Sequence, residues 1–392
     1  MKISKQLEMF NEEHELIEFG ISVLTFNVTS GPWKNRLLIV LVAVISLFTC
    51  YCAISHLNYA MPHGLNMNFI TSLMVFFGYF QMSGKILMGS FEKQSFQQLF
   101  DWISSLYKHR ESDPVLQLIM EKHLVYSIKT WKFLLKWVGS AFLATSLLTA
   151  LNMRPDSLGF VIRIPFLEPH IFYEEIVFLA QILLVVVASR TMILIDSSVF
   201  FVGLHVMAAL NILRDCIEIL NMKIAENADY FKTILKYHND VIENICVLNE
   251  AIEKISFVQI LSGTVLIIGN FFLIRKESDQ MFAYILCVCM LGQIFLLCLF
   301  GEFIKIKLDK LSTTLYMTNW YELSVKDQKT FLIILAMAQR QYGLKAAGMY
   351  DVNIYAFIQR SSFGNCSESK IFHYLLRQII MFQFLCSFFQ VH

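Results

Sequence analysis

Six long apolar segments constrain the fold of this chain more than any other feature. They cover residues 37–55, 68–88, 133–152, 176–200, 255–274 and 281–300. The hydrocarbon core of a bilayer needs about 20 mainly apolar residues in a helix, and each segment is close to that length. Because lipid offers the backbone no hydrogen-bond partners, each segment is predicted to be a transmembrane helix.

The composition agrees with a membrane protein. Of the 392 residues, 56% are hydrophobic and 16% are charged, whereas soluble domains usually carry about 25% charged residues. The net charge of +1 gives no basic surplus for binding nucleic acid. The nine cysteines are odd in number and scattered along the chain, so we predict no disulfide framework, and we predict no metal site.

The basic residues predict the orientation of the chain. With a cytoplasmic N-terminus, the inner segments hold 22 Lys and Arg residues and the outer loops hold 4; the inner segments are 1–36, 83–131, 201–254 and 301–349. Short loops rich in Lys and Arg stay in the cytoplasm, so the N-terminus is predicted to be inside. A G-protein-coupled receptor has the opposite orientation, and that class is disfavoured.

Catalysis finds no support in the sequence. Membrane enzymes need clustered acids, histidines or a nucleophile beside a base, and we find no such cluster, no Gly-rich phosphate loop and no cofactor motif. A transporter more often shows internal repeats with Gly or Pro breaks in matching spans. With 6 prolines in the whole chain, such breaks are not evident. We predict no enzymatic activity and no cofactor.

Two inner segments are predicted to be helical extensions of the spans. Residues 221–254 form an amphipathic pattern that leads into the fifth span, and residues 303–311 continue the sixth. The apolar positions of the first pattern lie mostly three, four or seven residues apart; they are Ile224, Tyr230, Ile234, Val241, Ile245, Leu248 and Ile252. Both helices should protrude into the cytoplasm.

The stretch "SVKDQKTFLIILAMAQRQYGL" predicts a short inner helix. Ser324 followed by Asp327 is a capping-box pattern, and Gly343 fits a C-terminal stop. The helix between them, about 18 residues long by these stop signals, is too short to cross the bilayer. It is suited to pack against the extensions of spans five and six.

Residues 315–359, "LYMTNWYELSVKDQKTFLIILAMAQRQYGLKAAGMYDVNIYAFIQ", resemble the C-terminal signature of the insect odorant receptor family. The shared features are Trp-Tyr after the sixth span, an inner helix ending in Ala-Gln-Arg, a Leu-x-Ala-Ala-Gly turn and a Phe in the last span. The resemblance implies an all-α integral membrane protein with seven transmembrane helices, a cytoplasmic N-terminus and a cytoplasmic helical anchor bundle.

The family resemblance also implies a function. The chain would be a tuning subunit, rather than the co-receptor, of an odorant-gated non-selective cation channel. It would form a heterotetramer with the odorant co-receptor (Orco) in the plasma membrane of sensory neurons. Its ligand would be a small volatile apolar or aromatic odorant. A gustatory receptor of the same architecture and a transporter are the alternatives.

Four regions are expected: a cytoplasmic segment (1–36), spans one to six with their inner extensions (37–300), the anchor helices (301–348), and the pore helix with a divergent tail (349–392). The resemblance implies that the anchor contacts other subunits through Trp320, Tyr321, Phe331, Leu335, Gln339 and Arg340. It implies that the final span lines the pore with Val352, Asn353, Ala356, Phe357 and Gln359.

The position of the seventh span has two solutions. "RSSFGNCSESK" interrupts the region in which the family signature places the pore helix. Either residues 349–374 cross the membrane with serines facing the aqueous lumen, or residues 371–391 are the actual span. We favour the first because the signature leads directly into it.

The resemblance implies an apolar odorant cavity in the outer halves of spans two to six. The candidate ligand contacts are Phe76, Phe77, Tyr79 and Phe80, which flank Gly78, together with Phe142, Ser146, Tyr173, Phe178, Gln181, Phe271 and Tyr284. For any one of these aromatics, packing against lipid or a helix is the simpler explanation. Gln181 more often would form a helix-to-helix hydrogen bond. Arg190 and Asp196 should snorkel or pair with another helix.

Overall fold

The computed structural model is helical over almost all of the residues it describes, which are 5–29, 31–63, 67–109, 113–152, 162, 164, 172–223, 228–276, 281–339, 344–346, 350–352 and 354. This confirms the all-α class. The elements in chain order are α1 (Lys5–Leu24), α2 (Trp33–Ala60), α3 (Met67–Phe91), α4 (Lys93–Lys108), α5 (Pro114–Leu151), α6 (Tyr173–Lys223), α7 (Ala228–Lys276), α8 (Met281–Tyr316), α9 (Val325–Ala338), β1 (Lys345–Ala346) and β2 (Tyr350–Asp351). Short 3₁₀ turns cover Met61–His63 and Trp320–Glu322.

Each of the six predicted spans lies within one helix, and several of these helices are far longer than a bilayer requires. Helix α6 has 51 residues and α7 has 49. At 1.5 Å per residue such a helix is about 75 Å long, more than twice the hydrocarbon thickness. The helical extensions predicted from the sequence are therefore present.

Among the residues that the structure describes, five helices are long and apolar enough to cross a membrane, namely α2, α5, α6, α7 and α8. The second predicted span lies in α3, which carries Gln81 and Lys85. Both side chains are buried, with 2% and 0% exposure, so they face other helices rather than lipid. Both alternatives for the seventh span fall mainly beyond Ile354, outside the described residues.

The amphipathic pattern leading into the fifth span is confirmed from Tyr230 onward. Six of its seven apolar positions are buried in one hydrophobic core; they are Tyr230, Ile234, Val241, Ile245, Leu248 and Ile252. The predicted helix start at 221 is wrong, since α6 continues to Lys223 and α7 begins at Ala228.

Helix α1 packs against one end of the helical bundle. Phe10 is 1% exposed and stacks on Tyr107 of α4 with ring centroids 4.5 Å apart. The Tyr107 hydroxyl oxygen lies 2.7 Å from His205 Nε2 and 3.1 Å from the Leu124 carbonyl oxygen. Burial raises the pKa of Tyr107 above its ordinary value, which keeps the hydroxyl protonated. The N-terminal segment is thus joined to α4, α5 and α6.

The predicted capping box of the short inner helix is confirmed. Ser324 Oγ accepts a hydrogen bond from the Asp327 N–H at 3.3 Å and donates to Asp327 Oδ2 at 2.6 Å. Helix α9 is 14 residues long and ends at Ala338, before the Gly343 stop that the sequence predicted. Gln339 caps it, and its N–H donates to the Leu335 carbonyl at 3.0 Å.

The predicted packing of α9 is also confirmed. Phe331 is 1% exposed. Its ring is stacked on Trp320 at 6.3 Å and lies 6.3 Å from Phe231 of α7. Leu308 and Leu311 of α8 belong to the same core. The extensions of spans five and six, together with α9, therefore form one packed unit.

A short antiparallel pair of strands precedes the C-terminal segment, where the sequence predicted that the final span begins. Lys345 pairs with Asp351 and Ala346 pairs with Tyr350. In the sequence Gly348 lies between the two strands, and glycine is favoured in tight connections. The pair continues in a hydrogen bond from the Val352 N–H to the Leu344 carbonyl oxygen at 2.8 Å.

Gly301 of α8 permits the close approach of this segment. A Cβ atom at position 301 would lie 1.9 Å from the Val352 carbonyl oxygen, which is backbone and cannot rotate away. We expect Gly301→Ala to destabilise the protein by about 1–3 kcal/mol, as overpacking usually does, measured by thermal unfolding in detergent.

Gly292→Ala provides the matched control for this substitution. It lies on the same helix, and no heavy atom lies within 4 Å of its added Cβ. Equal melting temperatures for the two variants would contradict a close contact between α8 and Val352.

Candidate ligand-binding site

A cavity of about 150 Å³ lies between α3, α5, α6, α7 and α8. Its lining is mostly apolar and includes Thr71, Met74, Val75, Gly78, Tyr79, Gln81, Phe142, Ser146, Thr149, Val185, Ala188, Ser189, Met192, Leu266, Leu273, Leu286, Met290 and Gln293. Cavities of this character bind small molecules mainly by shape and apolar contact, with a few polar groups that fix the orientation.

Helix α3 contributes an aromatic wall beside an open position. Tyr79 is 5% exposed and lines the cavity together with Gly78. No heavy atom lies within 4 Å of a Cβ built on Gly78. The open space that the sequence predicted beside this glycine is therefore present, and it faces the cavity.

Three hydroxyl groups in the cavity wall are held in place by hydrogen bonds within their own helices. Each donates its hydrogen to a backbone carbonyl in its own helix: Ser146 to Phe142 at 2.9 Å, Thr149 to Thr145 at 2.9 Å and Ser189 to Val185 at 2.7 Å. A hydroxyl oxygen used in this way retains a lone pair that can accept a further hydrogen bond. The cavity is thus suited to a ligand with one donor on an apolar body.

The structure places three of the eleven candidate ligand contacts on the cavity wall: Tyr79, Phe142 and Ser146. Phe76, Phe77 and Phe80 instead contact one another, with ring centroids 5.5 to 6.4 Å apart, and Phe80 is 40% exposed. Consecutive residues on a helix point about 100° apart. For that reason the "FFGYF" run cannot turn all its rings toward one cavity.

Four further candidates are absent from the described lining of this cavity, and three of them pack against a second apolar cluster. Tyr173, Phe271 and Tyr284 pack around Cys52, Ile162, Ile164, Val177, Leu184, Ile274 and Cys287. Phe178 is half-buried on α6 and is likewise absent from the described lining.

Gln181 is fully buried, and a backbone N–H contacts its side-chain oxygen. Gln181 Oε1 accepts a hydrogen bond from the Ile162 N–H at 3.2 Å. Ile162 lies in the sequence between α5 and α6, so this hydrogen bond joins Ile162 to α6. A backbone N–H of a loop cannot be foreseen as a partner from helix periodicity.

Most of the lining residues were missed by the sequence analysis, which favoured aromatics. Val185, Ser189 and Met192 on α6 lie three or four residues apart and so share one helix face. Leu286, Met290 and Gln293 on α8 show the same spacing; all six line the cavity. Polar residues inside apolar spans, such as Ser189 and Gln293, were the available signal.

A smaller cavity of about 80 Å³ adjoins the first and shares Phe142 and Gln293 with it. Asp196 lines this second space, and its Oδ1 accepts a hydrogen bond from Lys85 Nζ at 2.5 Å. Lys85 is fully buried. The prediction that Asp196 pairs with another helix is confirmed, and this ion pair joins α3 to α6 beside the cavities.

A family model described as 7tm Odorant receptor matches residues 66–363 of this chain. The chain belongs to the odorant receptor family. The matched region includes α3 and α5 to α8, so it contains the whole described wall of the receptor's cavity. A search of curated proteins found no match.

The receptor also has the fold of solved insect olfactory receptors. It is similar to olfactory receptor OR5 from Machilis hrabei in complex with eugenol, with a TM-score of 0.73 and 14% identity over 95% of this chain and 100% of that chain. Another structure of OR5 from the same insect gives a TM-score of 0.65 and 12% identity over 96% of this chain and 99% of that one. At such identities the similarity establishes the fold.

Proposed function

We propose that the receptor is the odorant-tuned subunit of a heteromeric, non-selective cation channel. The main support for this proposal is the mostly apolar cavity between α3, α5, α6, α7 and α8. Its composition suits a small volatile apolar or aromatic odorant with one hydrogen-bond donor. OR5, whose fold is similar, was solved with eugenol, which supports placing the ligand of this receptor in the bundle as well.

Gating follows from a shift between two arrangements of these helices. An odorant that fits the open-compatible arrangement more tightly moves the balance toward it, and each tenfold preference corresponds to about 1.4 kcal/mol. Helices α7 and α8 line the cavity and also continue into the unit that contains α9. A change in their spacing at the cavity would reach Val352 through its contact with Gly301.

Subunit contact is assigned to the anchor, residues 301–348. Phe331 and Leu335 are buried within their own chain, so they hold α9 in place, whereas Tyr321 is 63% exposed. On α9 itself Leu332 and Ile333 are 47% and 62% exposed. We therefore place the intersubunit surface on these exposed side chains.

We propose the remaining subunit-contact and pore-lining residues as the sequence predicted them. Trp320 is half-buried and Gln339 exposed, while Arg340 lies outside the described residues. Val352 is 2% exposed in its own chain, so it would reach a pore only after movement of the segment. Asn353, Ala356, Phe357 and Gln359 are also outside the described residues, and we propose that they line the pore.

Current recording tests the proposed function. The receptor is expressed alone and with an insect odorant co-receptor, and an odorant panel is applied to voltage-clamped cells. We expect odorant-gated cation current only from the pair. Substrate-coupled flux without odorant gating would instead assign the chain to the transporters.

The cytoplasmic N-terminus is tested with an epitope tag placed before Met1. We expect an antibody to reach this tag only after the cells are permeabilised, while a tag between α5 and α6 is reached in intact cells. Staining of the N-terminal tag in intact cells would reverse the orientation.

Glycosylation is a poorer probe of orientation. The acceptor pattern Asn27-Val-Thr29 lies in a folded region, where Asn27 is 8% exposed. Its Oδ1 accepts hydrogen bonds from Lys93 Nζ at 2.9 Å and from the Thr29 hydroxyl at 2.8 Å. Asn27 should therefore stay bare in the folded protein on either side of the membrane.

A further inference from the structure

We propose that a cavity near the inner end of the bundle binds one anionic phospholipid with a polyol headgroup. This cavity of about 200 Å³ lies between α5, α6 and α8 and is separate from the odorant cavity. One end is apolar and includes Leu134, Val138, Leu204 and Phe303. The other end is polar and includes Ser127, Asn211 and Lys307. The proposal goes beyond odorant gating.

Two polar atoms at this end lack partners. The Ser127 hydroxyl and the Asn211 side-chain oxygen are buried without a hydrogen bond to any described residue, and Ser127 is 3% exposed. Buried polar groups without partners cost free energy, so both indicate a bound molecule. A phosphate oxygen accepts from Ser127, and a headgroup hydroxyl donates to Asn211 Oδ1.

The charge of Lys307 selects an anion. Lys307 forms no ion pair with any residue that the structure describes. Asp215, the carboxylate whose charge acts on Lys307, is already held by His123 Nε2 at 2.8 Å and by Arg214 at 2.7 Å. The ammonium of Lys307 is therefore available to a phosphate, which a lysine binds as a point charge.

The position along the helices matches a lipid of the inner leaflet. Phe133 and Val138 at the apolar end are 47% and 37% exposed, where α5 enters the predicted span. Ser127 lies six residues before Phe133, or about 9 Å further inward, which is headgroup depth for a core about 30 Å thick. With the proposed cytoplasmic N-terminus, the acyl chain of the lipid would therefore contact the apolar end of the cavity and its headgroup would contact the polar end.

Lipid binding to the full-length receptor in detergent micelles tests the proposal. The probes are dioctanoyl phosphatidylglycerol, dioctanoyl phosphatidylcholine and glycerol 3-phosphate, and binding is measured by native mass spectrometry. We expect one phosphatidylglycerol to bind about tenfold more tightly than phosphatidylcholine, the ratio expected for one charge-assisted contact. Equal binding of both lipids, or binding of glycerol 3-phosphate as tight as that of the lipid, would overturn the site.

Variants locate the binding. Lys307→Gln should weaken phosphatidylglycerol about tenfold by the same reasoning, while Lys310→Gln, on the exposed surface of the same helix, should not. Leu204→Trp should block binding by filling the apolar end, and its melting temperature without lipid reports whether it folds. Undiminished binding by Lys307→Gln or by folded Leu204→Trp would refute the proposal. If either of these fails to fold, Asn211→Leu decides: it removes the acceptor for the headgroup hydroxyl and should weaken phosphatidylglycerol binding, and undiminished binding would refute the proposal.

Discussion

Replacing Gly78 with leucine should raise the half-maximal odorant concentration about 10- to 100-fold, the equivalent of the 1–3 kcal/mol that overpacking usually costs. A Cβ at this position meets no heavy atom within 4 Å, so the side chain enters the open space of the cavity rather than a neighbouring helix. The wall contains Tyr79 and Phe142, and the added isobutyl group would occupy the volume between them. The measurement is odorant-evoked current with the co-receptor.

The matched control is Gly292→Leu. This glycine also lies in a helix with no heavy atom within 4 Å of an added Cβ, but it does not line the cavity. Its response should stay close to that of the original receptor, and surface labelling should show equal amounts of both variants. An unchanged odorant response in Gly78→Leu would show that the ligand binds elsewhere.

The sequence predicted the helices well because the bilayer imposes a simple requirement on them. Six apolar segments of the necessary length all lie within helices. The inner extension leading into α7 was also recognisable, since its apolar positions repeat with the helical period and pack into one core. Ser324 and Asp327 predicted a helix start that depends on local chemistry alone, and the hydrogen bonds of the cap are present.

The cavity was harder to predict because lining it depends on how five helices are rotated. Phe76 and Tyr79 are equally aromatic, yet only Tyr79 lines the cavity. Helix rotation is decided by packing elsewhere, for example by the close contact between Gly84 of α3 and Val258 of α7. Composition alone therefore indicated aromatic residues near the site, but it could not distinguish those that line the cavity from those that face lipid.

The strand pair before Val352 was not predicted from the sequence, for a different reason. Each strand has 2 residues, too few for an alternating pattern to be visible in the sequence. The pair depends on tertiary contacts, because the Lys345 N–H donates to Asn249 Oδ1 of α7 at 2.9 Å and the Val352 carbonyl lies over Gly301. Neither contact has a local sequence signal.

The ion pair between Lys85 and Asp196 should be the most sensitive polar contact in the bundle. We expect Lys85→Met to destabilise the receptor by about 3–5 kcal/mol, since removing one partner leaves a buried charge uncompensated. Lys85 has no exposed surface, and the Asp196 side chain is 22% exposed, so little water can replace the lost ammonium. Unfolding of the purified receptor in detergent measures the effect.

The double variant Lys85→Met/Asp196→Leu separates the cost of an unpaired charge from the loss of a specific bond. Replacing both charges with apolar groups of similar size is often neutral or even stabilising, so the double variant should regain most of the stability that Lys85→Met loses. A double-mutant cycle, which compares the original receptor with both single variants and the double variant, isolates the coupling free energy between the two positions. If the two single changes are simply additive, the pair does not act as a unit.

A surface pair of the same chemistry serves as the control. Lys132 Nζ lies 3.1 Å from Glu12 Oε2 and 2.9 Å from Glu13 Oε1, and its side chain is 33% exposed. Lys132→Met should therefore cost at most about 1 kcal/mol, as exposed pairs do. Because Asp196 also lines the small cavity that shares Phe142 and Gln293 with the candidate ligand cavity, Lys85→Met should in addition lower the odorant-evoked current, whereas Lys132→Met should leave it unchanged. Equal losses of stability in Lys85→Met and Lys132→Met would show that the burial of the Lys85–Asp196 pair contributes nothing to its effect on stability.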